Sequence, residues 1–229
     1  AYTAVDAAET DEATAKIINA DAPAAMARAA AARGLPFLHI STDYVFDGSG
    51  TQARKVKDPT APINAYGRTK LLGEQGVVAA GGPYAILRTS WVFSAHGANF
   101  VKTMLRLGKE RDALNIVNDQ IGGPTAAADI ATTLLKMATA LHDGKAQSGI
   151  YQYTGAPNVS WAGFAMAIFA HAGVNVAVTG IPSSAYPTPA ARPLNSRLDC
   201  SCMENMFGIP RPDWRVSLAD VLRELREVT

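Results

Sequence analysis

The sequence predicts an α/β protein built on a doubly wound parallel sheet, with a smaller α+β unit toward the C-terminus. Three observations predict it. Apolar runs of strand length alternate with helical stretches, and the strand candidates end in polar residues, as at Ser41-Thr42 and Thr89-Ser90. After the first of these strands the chain enters Asn64-Ala65-Tyr66-Gly67-Arg68-Thr69-Lys70, which puts a phenol and an ammonium four residues apart. Strands that alternate with helices form parallel sheets, and open parallel sheets hold ligands at their carboxyl ends.

Residues 9–33 are alanine-rich with few helix breakers, and Gly34-Leu35-Pro36 stops them, as suits a crossover helix. Phe37-Leu38-His39-Ile40-Ser41-Thr42-Asp43-Tyr44-Val45-Phe46 follows as a buried strand with a polar end and a turn at Asp47-Gly48. A loop over 47–64 closes with Asp58-Pro59-Thr60-Ala61-Pro62 and delivers the chain to a helix that Asn64 caps and that runs to residue 78. Residues 84–92 make the next buried strand, and 100–111 a helix with Phe100, Val101, Met104 and Leu105 at helical spacing. A short strand over 114–117, an amphipathic helix over 126–141 and a strand over 150–153 complete this part. The smaller unit then comprises a helix over 161–172, a strand over 176–180, a loop with prolines at 182, 187, 189 and 193, and helices over 201–207 and 217–227. Ser201-Cys202-Met203-Glu204 has the spacing of a capping box, and Thr3 with Asp6 offers a similar cap to the first helix.

On a helix Tyr66 and Lys70 share one face. A lysine charge held there favours the ionised tyrosine and can draw a phenol from about 10 toward neutrality, where it trades a proton with a substrate oxygen. The pair alone also occurs on solvated helices. Thr42 adds a hydroxyl donor at the end of the preceding strand, so that three groups suited to polarising one carbonyl or alcohol oxygen come from one α/β unit.

Composition narrows the classes. Hydrophobic residues are 48%, charged residues 18% and the net charge +1, which argues against a disordered tail and against an electrostatic nucleic-acid binder. No run of 18 apolar residues points to a membrane span, and no charged leader precedes an apolar core. Cys200 and Cys202, one residue apart, are too few for a disulfide framework and fit a reducing cytoplasm, as small apolar side chains at a helix start. His39, His96, His142 and His171 are scattered, so no protein metal centre is expected.

Over nearly all 229 residues the chain resembles the extended short-chain dehydrogenase/reductase superfamily and, within it, the dTDP-4-dehydrorhamnose reductase family. The resemblance rests on Ala1-Tyr2-Thr3-Ala4-Val5-Asp6, Ser41-Thr42-Asp43-Tyr44-Val45-Phe46-Asp47-Gly48, the Tyr66/Lys70 helix with Leu71-Leu72-Gly73-Glu74, and Leu87-Arg88-Thr89-Ser90-Trp91-Val92. It continues through Asn99-Phe100-Val101-Lys102-Thr103-Met104-Leu105, Asn118-Asp119-Gln120-Ile121-Gly122-Gly123-Pro124-Thr125 and Arg192-Pro193-Leu194-Asn195-Ser196-Arg197-Leu198-Asp199. The Tyr/Lys pair marks the superfamily, and the Ser-Thr-Asp-Tyr-Val-Phe and Arg-Thr-Ser-Trp-Val strings narrow it.

The resemblance implies a Rossmann-like nucleotide-binding domain over residues 1–94, to which 120–155 return, and a substrate-binding region over 95–119 and 156–229. It implies hydride transfer from NADPH, or NADH, to the C4 keto carbon of a nucleotide sugar, dTDP-4-dehydro-L-rhamnose, giving dTDP-L-rhamnose. Tyr66 would protonate the C4 oxyanion. Lys70 would hold the nicotinamide ribose and keep Tyr66 acidic, and Thr42 would donate to the same oxygen. Ala1, Tyr2 and Thr3 match the strand-end segment beside the cofactor. Asp43 would touch the sugar or cap a turn, and Trp91 would stack on sugar or nucleotide or pack as a core aromatic. Arg192, Asn195 and Arg197 form a polar cluster whose guanidiniums suit a diphosphate, with a solvated loop as the competing reading. A cytoplasmic protein without nucleic-acid or membrane partners is expected, and the resemblance leaves open a homodimer, which some relatives form through magnesium.

The glycine-rich turn that opens such a domain and holds the cofactor pyrophosphate on a helix N-terminus does not occur in the 229 residues, since Gly81-Gly82 precedes a strand. At about 30 residues per βαβ unit, roughly sixty residues of the family pattern are expected upstream of Ala1. The chain by itself is therefore expected to bind nicotinamide cofactor poorly, to leave one sheet edge without its usual neighbours and to show an open groove. Two rival readings remain: an epimerase or dehydratase that retains NAD, and a non-catalytic subunit of the same fold.

Overall fold

The computed structural model describes residues 1–227. The alanine-rich start is broken into α1 (Val5–Ala8), α2 (Glu12–Lys16), a π-helical turn (Ile17–Asp21) and α3 (Ala22–Ala31). Pro23 in the first turn of α3 sits where its missing N–H is no loss. β1 (Phe37–Thr42) and a 3-10 turn (Asp43–Val45) lead to α4 (Ala65–Ala79), β2 (Tyr84–Thr89) and β3 (Val92–Phe93). β2 stops short of the expected residue 92 because Trp91 takes φ 49°, a left-handed conformation no strand can carry.

Then come α5 (Phe100–Glu110), β4 (Ala113–Val117), β5 (Ile121–Gly122), β6 (Thr125–Ala126), α6 (Ala127–His142) and β7 (Gly149–Gln152). The last part contains β8 (Val159–Ser160), α7 (Trp161–Ala172), β9 (Ala177–Ile181), β10 (Asn195–Ser196), α8 (Ser201–Phe207) and α9 (Trp214–Glu227). Asn99 and Ser160 cap α5 and α7 by accepting from Lys102 N and Gly163 N.

The central sheet has the order β1-β2-β7, all parallel, with Thr42 opposite Thr89 and Arg88 opposite Gln152. Period-two alternation on β2 sends Ala85 and Leu87 to one face and Ile86 to the other. On the first face they meet Ile130, Met137 and Leu141 of α6, Tyr151, and Met203 of α8. On the second, Ile86 meets Ala27 of α3 and Val77 of α4. Helices on both faces of a parallel sheet make the doubly wound architecture expected. β1 pairs only with β2 among the described residues, and Ile40 on it is 44% exposed.

A second core lies under α5, α7 and α9 and the parallel pair β4–β9. Phe93, Met104, Phe164, Ile168, Phe169, Trp214 and Leu218 fill it, each fully buried apolar side chain contributing about 1.5–3 kcal/mol. Met203 and Ile209, although late in sequence, belong to the sheet's core instead.

Neither expected capping box forms. Cys200 occupies the N-cap position of α8 at φ −94°, ψ 8°, so Ser201 is already helical, and its N–H is taken by Asp199 Oδ1 at 2.9 Å. Thr3 makes no cap either. Ala4 precedes α1, and Asp6 turns away to accept from Ala190 N and to pair with Arg192 at 2.8 Å.

Two glycines set the packing of α4. A β-carbon on Gly67 would stand 2.3 Å from Tyr44 O, and one on Gly73 would stand 2.1 Å from Asn19 O in the π-helical turn. Only glycine lets α4 approach both elements this closely.

Candidate active site

The first turn of α4 is fixed from three sides. Asn64 Oδ1 accepts from Gly67 N at 2.8 Å, Asn64 Nδ2 donates to Ala191 O at 2.8 Å, and Ala65 N donates to Glu9 Oε1 at 2.7 Å. Tyr66 therefore has a defined origin. Its half-buried ring lies edge-on to Tyr44, with centroids 5.6 Å apart at 79°, and packs in the cluster that holds Tyr2, Ala8, Ala15 and Ala65. One turn on, Lys70 reaches under the sheet edge and donates from Nζ to Ile40 O at 2.6 Å. Thr42 ends β1 on the same side. Its Oγ1 accepts from Tyr44 N at 3.2 Å and donates to Asp43 Oδ1 at 3.1 Å. The structure thus gathers Tyr66, Lys70, Thr42 and Asp43 at the carboxyl end of the sheet, beside Tyr2.

The electrostatics differ from the expected acidified phenol. Burial pushes Tyr66 up to about 12; a hydrogen bond with Thr42 opposes this and the Asp43 charge adds to it. Lys70 does not lower it. Burial costs the lysine part of its own charge, bringing it down to about 8 against the opposing pull of Glu74. Two adjacent groups that each lose solvent both shift toward their neutral forms. Asp43 is pushed up to about 7 by burial, against the hydroxyls of Ser196 and Thr42. His39, stacked on Phe37 beneath Lys70, is held neutral with its pKa down at about 3 by burial and then by the Lys70 charge.

Below this group lies a buried ion pair that the sequence analysis passed over. Arg88 of β2 donates from Nε and Nη2 to both oxygens of Glu74 at 2.9 and 2.7 Å, with both side chains 3% exposed. The same guanidinium reaches Val56 O at 3.3 Å and lies 5.0 Å from the centroid of Phe46, tying α4, β2 and the loop after β1 together.

The other expected contacts divide. Arg192 and its partner Asp6 line, with Tyr44, a cavity of about 1070 Å³ between α5, the β4–β9 pair and the loop 183–192. Asn195 does not face it: Nδ2 donates to Ser49 O and Gln52 O, and Oδ1 accepts from Arg197 Nη1, so both residues brace the loop after β1. Trp91 lies face to face with Trp161 at 3.6 Å, which covers one side of its ring. Of the two indoles, the one that lines the cavity is Trp161, with its N–H on Gln120 Oε1 and Phe100 tilted beside it. Sequence reasoning used Trp161 only as a helix start; its pairing with Trp91, 70 positions away, leaves no local trace.

Tyr2 is held by Asn19 of the π-helical turn, which accepts from Tyr2 N at 2.8 Å and donates to Tyr2 O at 3.0 Å. Its backbone is thus committed, its hydroxyl donates to Asp11 Oδ2 at 3.3 Å, and its ring packs beside Tyr66. For a nicotinamide cofactor, the strand ends fit the ribose half. Lys70 spends one proton on Ile40 O, and the buried hydroxyls Ser41 Oγ and Thr89 Oγ1 have no hydrogen-bond partner. Among the described residues there is no group of three His, Cys, Asp or Glu side chains suited to a metal ion, and no helix is long and apolar enough to cross a membrane.

A doubly wound sheet with a tyrosine and a lysine one turn apart at its carboxyl end defines the extended short-chain dehydrogenase/reductase class. The model of the RmlD substrate binding domain matches residues 1–227. A dTDP-4-dehydrorhamnose reductase of Burkholderia thailandensis is 48% identical, over 98% of this chain and 80% of its own length. The crystal structure of such a reductase from Clostridium acetobutylicum superposes with a TM-score of 0.93 at 39% identity, over 99% of this chain and 79% of that one. That from Bacillus anthracis, in complex with NADP, gives 0.91 at 37% over 98% and 78%. The chain belongs to the dTDP-4-dehydrorhamnose reductase family.

Proposed function

We propose that this chain takes part in the NADPH-dependent reduction of dTDP-4-dehydro-L-rhamnose at C4 to give dTDP-L-rhamnose, with Tyr66 as the proton donor. The observation that carries the reading is the convergence of Tyr66, Lys70 and Thr42 on one end of the sheet. The names and the NADP complex among the relatives support the substrate and cofactor.

The nicotinamide, when bound, supplies the hydride that C4 receives. As the carbonyl electrons move to oxygen, Tyr66 gives its Oη proton to that oxygen and becomes tyrosinate. A phenol raised to about 12 still protonates an alkoxide, whose conjugate acid resembles water at about 15.7, so the transfer is downhill without acidification. The high value keeps the donor loaded at neutral pH. Thr42 donates to the same oxygen as charge develops. Lys70, with two protons beyond the one on Ile40 O, holds the ribose, and the Thr42 hydroxyl, whose hydrogen bond draws the phenol down, is the group that stabilises the tyrosinate that remains.

Residues 1–94 with 120–155 hold the cofactor side in this reading, and 95–119 with 156–229 the sugar nucleotide. The cavity accepts the nucleotide sugar, Arg192 meeting the diphosphate bidentately and Trp161, rather than Trp91, offering an aromatic face. Tyr66→Phe deletes only the proton, so in single turnovers of the cofactor-loaded enzyme, with the glycine-rich turn of the family pattern present, reduction should fall by about 10²–10⁴ with the fold unchanged. A variant that keeps more than half the parent rate overturns the assignment.

A further inference from the structure

The carboxyl behind Thr42 has no part in the proton transfer described above. Asp43 is 3% exposed, Oδ1 takes the Thr42 hydroxyl at 3.1 Å, and Oδ2 has no partner in hydrogen-bond geometry, with some help coming from the Ser196 hydroxyl across the loop. A hydroxyl has one proton to give and two lone pairs to receive with. While Asp43 is a carboxylate it can only accept, so the Thr42 proton is spent on it and is lost to the substrate oxygen. Once Asp43 is a neutral acid, its own O–H can donate to Thr42 Oγ1, which already accepts from Tyr44 N and has one lone pair left. The Thr42 proton is then free to turn outward, toward the Tyr66 oxygen and the substrate oxygen beside it.

We propose that Asp43 is a positioning residue that acts as a neutral carboxylic acid, fixing the Thr42 hydroxyl so that its proton points at the oxygen being reduced. The inference rests on the reading of Thr42 as a donor to that oxygen. No bond to carbon is made or broken by Asp43, and its proton stays within the Asp43–Thr42 hydrogen bond.

Burial supports the neutral form: the carboxyl is pushed up to about 7. The titratable and charged groups around it come from each packed element. Tyr44 of the 3-10 turn is raised by burial, Tyr66 of α4 sits at about 12, and Lys70 of α4 at about 8. Arg192 and Asp6 act on Tyr44 from the cavity side. Lys70 titrates about one pH unit above Asp43.

The test is a carbon-13 titration of the Asp43 carboxyl in the folded chain, with pH profiles of turnover for the parent, Asp43→Asn, Ser196→Ala and Thr42→Val. The carboxyl should titrate near 7, and parent turnover should fall about tenfold per pH unit above that point. Asp43→Asn should lose this limb and keep only the one set by Lys70, at about 8. Ser196→Ala removes a hydroxyl that favours the carboxylate, so it should move the limb to higher pH. A carboxyl that titrates at the ordinary value near 4, or an Asp43→Asn profile identical to the parent's, overturns the proposal. If Thr42→Val turns over at the parent rate, the role of Thr42 itself is wrong and the inference falls with it.

Discussion

Glu74→Gln is the most searching single perturbation of the scaffold, because it keeps shape and removes charge from a pair with both side chains 3% exposed. In the parent, Arg88 makes two charge-assisted bonds to Glu74, at 2.9 and 2.7 Å. The variant leaves a guanidinium buried without its counter-charge, which costs about 3–5 kcal/mol. The glutamine oxygen still accepts one bond, recovering about 1 kcal/mol, so the net loss is about 2–4 kcal/mol. In a chain of this length each kcal/mol moves Tm by about 2–4 °C, and the expected fall is about 4–16 °C. Glu12→Gln is the control: it breaks the Arg68 pair, of the same 2.8 Å length class but with side chains 43% and 44% exposed, and should cost less than about 1 kcal/mol. Calorimetry of both variants, with urea melts followed by two probes, measures the difference. If Glu74→Gln melts within about 2 °C of Glu12→Gln, burial of the pair does not govern its energetics and the reasoning fails. Replacing both partners, as Glu74→Leu with Arg88→Met, should restore much of the loss, since no unpaired charge then remains.

Two further outcomes follow from the site. Lys70 is held down at about 8 against an ordinary 10.5, so between those pH values the unfolded chain carries a proton the folded chain has released, and parent stability rises with pH through that window. Below it the buried ammonium opposes folding; Lys70→Met should therefore be more stable than the parent by about 1–3 kcal/mol at pH 7, with the gap closing by pH 10, while cofactor affinity and turnover drop. Thermal melts at the two pH values check this, and a variant less stable than the parent at pH 7 refutes it. Trp161→Ala should raise the KM for the nucleotide sugar by a factor corresponding to about 1–3 kcal/mol and leave the KM for NADPH unchanged, with a smaller effect from Trp91→Ala, whose ring stands behind it. Equal KM values for the two variants would return Trp161 to the packing.

Much of this protein was legible along the chain. Asn64 at a helix start, Gly34-Leu35-Pro36 at a helix end, and apolar runs that finish in Thr42 and Thr89 are local signals, set by backbone capping and burial within a few residues. They were enough to find β1, α4, β2 and α7, and to put Tyr66 and Lys70 on one face. The capping boxes misled because a spacing is only an opportunity: Asp6 found Arg192 and Ala190 N, 184 and more positions away, and Asp199 reached Ser201 N first. What tertiary structure decided was solvent. The sequence set a lysine beside a tyrosine, and the expected effect was attraction between charge and phenolate. Folding removed water from both, and desolvation, which depends on every neighbouring atom rather than on one partner, drove Tyr66 to about 12 and Lys70 to about 8. The same long-range closure paired Glu74 with Arg88, laid Trp161 on Trp91 and shut Asp43 behind Thr42, none of which a one-dimensional pattern can encode.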